Sequence, residues 1–259
     1  MTTVAALLVA CLIWLIWGNV TVGLTSIIVV EEALPATFDG YRIAHVSDLH
    51  NSVLWKKTII RLKEAEPDII CITGDLVDAN HADVEKALAF IAEAVKIAPC
   101  YYIPGNHEKK LDESVLAGLV DGLTSLGVTV LLDKEAVLIS GEDEISLVGH
   151  GWSDTEDIAA LSGFDGYSIL LAHHPEYFAD YVAAEYDLVL SGHAHGGQFR
   201  LPFIGGLIAP GQGFFPEYDS GMYTDGNTDM IVSRGIGNSI IPVRFHNRPE
   251  VILITLQCT

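Results

Sequence analysis

Five times in this chain an apolar, β-like run ends directly in a short polar cluster built from metal-ligand residue types. The clusters are Asp48-Leu49-His50, Gly74-Asp75-Leu76-Val77-Asp78, Gly105-Asn106-His107-Glu108, His173 and Gly192-His193-Ala194-His195. Imidazole and carboxylate together are the ligand set of a hydrolytic transition-metal site. The position of the clusters constrains the fold more than their composition does. Ligands of open α/β sheets gather beyond the carboxyl ends of strands, so residues remote in sequence converge there if each run is a strand of one sheet system.

The rest of the sequence accommodates such a system. From Tyr41 onward, β-like runs alternate with helical stretches. Strands are expected at Tyr41–Val46, Asp68–Thr73 and Cys100–Ile103. Helices are expected at Leu54–Ala65, stopped by Pro67, at His81–Ile97, and at Leu111–Leu126, closed by Gly127 as a C-cap. The pattern then changes to closely spaced strands at Val128–Leu132, Ala136–Ile139 and Ile145–Val148, with a hairpin turn at Gly141-Glu142-Asp143. Tyr167–Ala172 and Tyr186–Leu190 lead into the last two clusters. Phe199–Phe215, rich in Gly and Pro, reads as one long loop, and strands at Met230–Ser233, Ile240–Phe245 and Val251–Leu256 complete the set. One catalytic domain with two packed, mixed sheets and flanking helices is the economical architecture.

The amino terminus is of another kind. No charge precedes Glu31, and Val4–Trp17 is an unbroken apolar run. A membrane-spanning helix needs ~20 such residues, and Trp14 and Trp17 lie toward its carboxyl end, where aromatic rings favour the membrane boundary. A cleaved signal lacks its positive n-region here. The Leu8-Val9-Ala10-Cys11 lipoprotein-like box is badly placed, and a buried core helix remains the alternative. The expected division is an anchor over residues 1–20 and a catalytic domain over 21–259. Thr25–Val30, β-branched, reads as a strand.

Of 259 residues, 14 are basic and 34 acidic, a formal charge of −20. That balance argues against a nucleic acid polymer as partner, because affinity for phosphate backbones rests on Lys and Arg. Bound metal changes the local sign. Two dications bring about +4 and Asp48 with Asp75 return about −2, leaving about +2 to attract a small phosphorylated substrate. Cys11, Cys71, Cys100 and Cys258 form no CxxC pair, so a zinc knuckle is not expected, nor is a disulfide.

Each cluster alone is weak: Asp-x-His is commonly a solvated turn, and Gly-Asp-x-x-Asp a helix cap. In their order, Asp-x-His, Gly-Asp-x-x-Asp, Gly-Asn-His-Glu, His and Gly-His-x-His, they resemble the signature of the calcineurin-like metallophosphoesterases, from about Tyr41 to about Gly197. Leu201–Gly206, Ser233–Ser239 and the apolar start are similar to the membrane-associated bacterial branch of YkuE/YaeI-type phosphodiesterases. The resemblance implies a four-layer α/β/β/α sandwich of two mixed β-sheets flanked by helices, preceded by the apolar helix. It implies two divalent ions (Mn²⁺, Fe²⁺ or Zn²⁺), with Asp48, His50 and His195 on one, Asn106, His173 and His193 on the other, and Asp75 shared. His107 would be catalytic, facing the substrate rather than ligating. Asp78 and Glu108 would orient ligands.

His174 competes with His173 as a ligand, and His173 is preferred because it directly follows its strand. His45, His81, His150 and His246 match no ligand position. His150, in Gly149-His150-Gly151-Trp152, is read as a loop residue. Arg200, Arg234, Arg244 and Arg248 are phosphate-binding candidates whose alternative is a structural ion pair. The expected reaction is attack of a metal-activated hydroxide on a phosphodiester or pyrophosphate bond of a lipid-linked or nucleotide-linked substrate. It takes place at the cell membrane, on the extracytoplasmic side. Phe203, Phe214 and Phe215 are candidates to touch an acyl chain. The alternatives are a phosphoprotein phosphatase and a non-catalytic binding module of the same fold.

Overall fold

In the computed structural model, residues 2–151, 155–161, 164–238 and 241–259 are described. The first sheet is assembled from β1 (Gly23–Glu31), β2 (Arg42–Val46), β3 (Ile69–Thr73), β4 (Cys100–Ile103), β5 (Thr129–Val130) and the carboxyl-terminal β16 (Glu250–Cys258), in the order β1-β16-β2-β3-β4-β5. All its pairings are parallel except β16 with β2. The second sheet contains β6 (Lys134–Ser140), β7 (Asp143–His150), β8 (Ser168–Ala172), β9 (Leu188–Ser191), β14 (Gly221–Asp225) and β15 (Thr228–Val232), in the order β14-β15-β9-β8-β7-β6. Its four central strands are parallel and its edges antiparallel. Both sheets are mixed, as expected.

The layering follows from the two-residue period of side chains on a strand. In β3, Ile69 and Cys71 face the second sheet, while Ile70 and Ile72 face helices. β8 mirrors this: Ile169 and Leu171 meet the first sheet, and Leu170 and Ala172 face outward. Strands buried on both faces read as continuous apolar runs, which is the pattern in the sequence. The outer face of the first sheet is covered by α2 (Trp55–Ala65), α3 (Val84–Ala94) and α4 (Glu113–Ser125), through Leu62, Phe90, Ile91 and Leu123. The outer face of the second is covered by the short α5 (Phe178–Ala183), through Phe178 and Tyr181. Helix, sheet, sheet and helix thus form four layers.

Helix ends obey local chemistry. Asp83 caps α3 by accepting the Lys86 amide at 2.9 Å, so the helix begins at Val84, the first residue of the apolar stripe, and not at His81. After α4, Gly127 takes the left-handed conformation (φ +88°), and Val128 N–H returns to Leu123 O at 3.1 Å. This is the predicted glycine stop.

Several expectations change. Residues 199–215 are not one loop: β10 (Arg200–Leu201) pairs with β11 (Gly205–Gly206), and β12 (Ile208–Ala209) with β13 (Gly213–Phe214). Glycine permitted these tight ladders while hiding the strand signal. β14 was not foreseen, because its alternation is polar and half exposed. The strand expected at Ile240–Phe245 begins outside the described residues, and 241–245 form a loop bridged to Phe199 by Phe245. Trp152 and Ser239 also lie outside the described residues. β1 is a full edge strand paired with β16 over its whole length, so a catalytic fragment must begin before Gly23.

α1 (Thr2–Val20) is an apolar helix of which none of the Thr3–Val20 window is buried, with mean hydropathy 2.1. It is long and apolar enough to cross a membrane. Its end is tied to the domain: Asn19 Nδ2 donates to Arg244 O and Arg244 N donates to Asn19 Oδ1, both at 2.8 Å.

Candidate metal centre

The turns after β2, β3, β4, β8 and β9 meet at one edge of the sandwich. Asp48, His50, Asp75, His193 and His195 all hold positive φ, between 43° and 64°. Non-glycine residues rarely adopt this conformation, and its concentration here marks a functional constraint. Two glycines permit the close approach. A Cβ on Gly105 would fall 2.2 Å from Asp75 Oδ1, and one on Gly192 would fall 1.8 Å from Ser47 Oγ.

Ligand atoms of Asp48, His50 and His195 lie within 4.8 Å of one another, and so do those of Asp75, His173 and His193. Asp75 joins the two groups. Its Oδ2 is 3.4 Å from His50 Nε2 and 3.4 Å from His173 Nε2, while its Oδ1 accepts the His107 amide at 2.8 Å. Asn106 Oδ1 lies 3.1 Å from His173 Nε2, and His193 Nδ1 lies 3.2 Å from it. Every residue expected as a ligand is therefore in this one place.

The donor set fits cations. His173 Nδ1 lies 2.7 Å from Thr73 O; a carbonyl only accepts, so Nδ1 carries hydrogen and the neutral ring presents a lone pair at Nε2. That lone pair faces the carboxylate of Asp75, the amide oxygen of Asn106 and a nitrogen of His193. Four such atoms converging on one point suit a cation held among them. Both ring nitrogens of His50 are buried without a hydrogen-bond partner, a costly state for a polar group with no ligand to bind.

Electrostatics agree. Burial lowers His50 to about 4 and His193 to about 2, and holds His195 well below its ordinary value. These rings stay neutral, the state that binds metal. His173 is the exception. Burial opposes its charge, but Asp75 and Asp48 outweigh burial and raise it to about 10. In the absence of metal, a proton takes the cation's place. Burial pushes Asp48 up to about 6.

The surrounding residues organise these groups. Glu108 is fully buried, and its carboxylate accepts the amides of Asp75 and Gly105 at 2.8 Å and of Val77 at 3.2 Å. It binds two ligand-bearing turns together. Burial, with Asp75 nearby, raises it to about 7. Asp78 Oδ1 lies 3.9 Å from His107 Nδ1. His107 packs edge-on against His50 at 4.4 Å and, with Asn106, Lys110, His193 and His195, lines a cavity of about 260 Å³.

Other candidates separate. His174 stands outside the Asp75 group and pairs with Glu176 at 3.1 Å, beside His193. Arg200 is bound to Asp219 at 2.9 Å and Arg234 to Glu250. Arg248 stacks on Trp17 at 4.4 Å. Arg244, expected as a phosphate or ion-pair group, is fully buried instead. It donates to the carbonyls of Arg234 and Gly237 and approaches His195 Nδ1 at 3.4 Å. His45 is buried against Thr73 Oγ1 at 2.8 Å.

Two neighbours escaped the sequence reading. Glu176 Oε1 is 3.9 Å from His193 Nε2. Lys110 carries its charge to the cavity wall. Of the two, only Lys110, two residues beyond Glu108, had a local signal.

Comparison with known proteins agrees with this architecture. The calcineurin-like phosphoesterase family profile matches residues 41–197. The uncharacterized metallophosphoesterase YkuE of Bacillus subtilis is 34% identical over 249 residues, covering 88% of this chain and 83% of its own. Phosphodiesterase YaeI of Escherichia coli is 29% identical over 227 residues, covering 83% of this chain and 82% of its own. A Danio rerio transmembrane protein with a metallophosphoesterase domain is 30% identical over 254 residues, covering 87% of this chain and 55% of its own. The crystal structure of TT1561 of Thermus thermophilus shares the fold, with TM-score 0.53 at 13% identity over 76% of this chain and 90% of that one. With clustered side chains of metal-ligand type on a metallophosphoesterase scaffold, this chain is a metal-dependent hydrolase and belongs to the calcineurin-like phosphoesterase family.

Proposed function

We propose that the chain is a membrane-anchored, two-metal phosphohydrolase that cleaves a phosphodiester or pyrophosphate bond of a lipid-linked or nucleotide-linked substrate. Asp48, His50 and His195 would hold one ion and Asn106, His173 and His193 the other, with Asp75 available to both. The position of Asp75 Oδ2, 3.4 Å from an imidazole of each group, carries this reading. Two divalent ions supply Lewis-acid polarisation of the phosphoryl group and acidify water.

The chain's own residues do the rest. His107 Nδ1 accepts the Ala79 amide at 3.0 Å, which leaves hydrogen on Nε2 of the neutral ring. That N–H is available as a hydrogen-bond donor to the phosphoryl or leaving oxygen, where it stabilises the negative charge that develops there. Lys110, on the cavity wall, offers a positive partner to a non-bridging oxygen. Residues 1–20 act as the anchor and 21–259 as the catalytic domain. The name of YaeI supports diester chemistry, and the apolar α1 supports a substrate met at a membrane.

The test uses the full chain in detergent, stripped of metal and reloaded with Mn²⁺, Zn²⁺ or Fe²⁺ separately. A phosphomonoester, a phosphodiester, a pyrophosphate-linked nucleotide and a phosphopeptide are compared. Diester or pyrophosphate turnover restored by metal is the expected result. Preference for the phosphopeptide, or metal uptake with no turnover on any substrate, overturns the reading.

A further inference from the structure

We infer that the loops carrying Phe203, Phe214, Phe215, Val243 and Phe245 form a docking surface for a lipid bilayer, so that the catalytic domain lies in the interface instead of hanging below it. This rests on α1 as a membrane-spanning helix. Three observations lead to it.

The first is where the domain meets α1. Trp14 packs edge-to-face on Phe245, with centroids 5.6 Å apart. Trp14 is six residues before Val20, so at 1.5 Å per residue the contact lies about 9 Å inside the helix end. A loop that reaches that far back along a spanning helix sits at the boundary of headgroups and acyl chains. The pose is held, because Asn19 and Arg244 exchange two hydrogen bonds and Arg248 Nε donates to Thr21 Oγ1 at 2.8 Å.

The second is continuity. Arg200 N–H donates to Phe245 O at 2.9 Å, Leu207 N–H to Phe199 O at 2.8 Å, and Phe215 N–H to Leu207 O at 2.9 Å. Backbone bonds thus run from the helix contact to the loop tips. There Phe203, Phe214 and Phe215 are 108%, 76% and 67% exposed. Phe203 and Phe215 hold left-handed φ of 67° and 56°, uncommon for bulky residues, with their rings turned outward. Apolar surface gathered in this way marks an interaction site, and its loops are tied through Phe245 to the Trp14 contact on α1.

The third is charge. The chain carries −20 overall, yet Lys57, Arg61 and Arg248 cluster at the helix exit, donating to Val20 O and Val22 O. Cations at this level suit headgroup phosphates. The docking surface also borders a second cavity, of about 460 Å³, lined by Ile208, Pro210 and Ile241. This chamber shares His195 and Pro210 with the cavity of the candidate metal centre. The apolar chamber and the cavity of the candidate metal centre are therefore neighbours, an arrangement suited to an amphiphilic phosphate ester.

The experiment uses the full chain, with Cys11→Ser and Cys258→Ser, in phosphatidylcholine vesicles. Nitroxide labels are placed singly at Phe203→Cys, Phe215→Cys, Leu8→Cys and Ile139→Cys. Ile139 lies at the end of the second sheet opposite the ligand-bearing turns. The readout is the ratio of collision rates with oxygen and with a water-soluble nickel chelate. The ratio is expected to be several-fold higher at 203 and 215 than at 139, and closer to its value at 8. Lipid-like behaviour at 8 with water-like behaviour at 203 and 215 overturns the docking surface and leaves the anchor standing. Water-like behaviour at all four positions overturns both.

Discussion

The Ala79 amide donates to His107 Nδ1 at 3.0 Å, and this one bond decides what the ring can do. A backbone N–H is only a donor, so the neutral imidazole must carry its hydrogen on Nε2. The neutral ring thereby offers the cavity a hydrogen-bond donor at Nε2 in place of a metal-binding lone pair. His107→Ala is expected to lower kcat by ~10²–10³-fold, the range of one lost hydrogen-bond donor to developing charge, with metal content unchanged. Steady-state kinetics beside elemental analysis check this. Equal loss of metal and activity would mean that His107 is a ligand.

Asp75 gives a different outcome. Asp75→Asn removes the charge shared between the two ligand groups, and the new amide nitrogen cannot ligate. Metal occupancy and turnover are expected to fall together, turnover by more than the ~10–100-fold typical of a ligand's hydrogen-bonding partner. Elemental analysis showing full occupancy would count against a shared ligand.

Glu108 acts through backbone. Its carboxylate accepts three amides from two turns. Glu108→Gln keeps the shape but turns an NH₂ group toward an N–H, which costs roughly 1–3 kcal/mol for a buried donor left unpaired. A lower unfolding temperature and weaker metal binding are expected. Unchanged stability in calorimetry would show that the carboxylate is dispensable.

pH dependence follows from His173. Its pKa in the folded, metal-free chain is about 10, against 6.5 for the free group. A raised pKa stabilises the fold fully below 6.5 and loses that contribution as pH climbs through 10. The metal-free protein is therefore expected to lose stability over this window, beyond any loss in the metal-loaded protein, where a cation replaces the proton. Metal binding near neutrality is expected to release about one proton. Titration calorimetry in buffers of different ionisation enthalpy measures that number. A value of zero would contradict a protonated His173.

Arg244 is held by the Arg234 and Gly237 carbonyls and by Asn238 Oδ1, with Asp48 and Glu250 as more distant carboxylates that favour its charge. Arg244→Met leaves the Arg234 and Gly237 oxygens without their donor, and hydrogen bonds to a charged group contribute roughly 1.5–3 kcal/mol each. A fall in unfolding temperature is expected, together with altered metal affinity through His195. Thermal unfolding of the full chain, with and without metal, separates the two effects.

Much of this protein was legible in the sequence because the information is local. Ile69-Ile70-Cys71-Ile72 and Ile169-Leu170-Leu171-Ala172 announce strands buried on both faces. Asp48, His50, Asp75, Asn106, His107, His173, His193 and His195 stand directly after such strands, where a sheet gathers side chains. The glycine stop at Gly127 and the apolar run of α1 are likewise local signals. Residues 199–215 were misread because glycine carries no strand signal even where it pairs. Glu176 was missed, and the buried role of Arg244 with it, because no nearby residue points to either.

By itself, the sequence determined the element order, the two-sided burial of the strands, and which side chains stand at their ends, since each depends on neighbours within a few residues. Only the tertiary structure decided that Asp75 lies between His50 and His173, that Ala79 sets the tautomer of His107, and that Arg244 links the end of α1 to His195. These relationships join residues up to 225 positions apart, as Asn19 and Arg244 are. Chain distance carries no information about them, and only the packing of two sheets brings such groups within hydrogen-bonding reach.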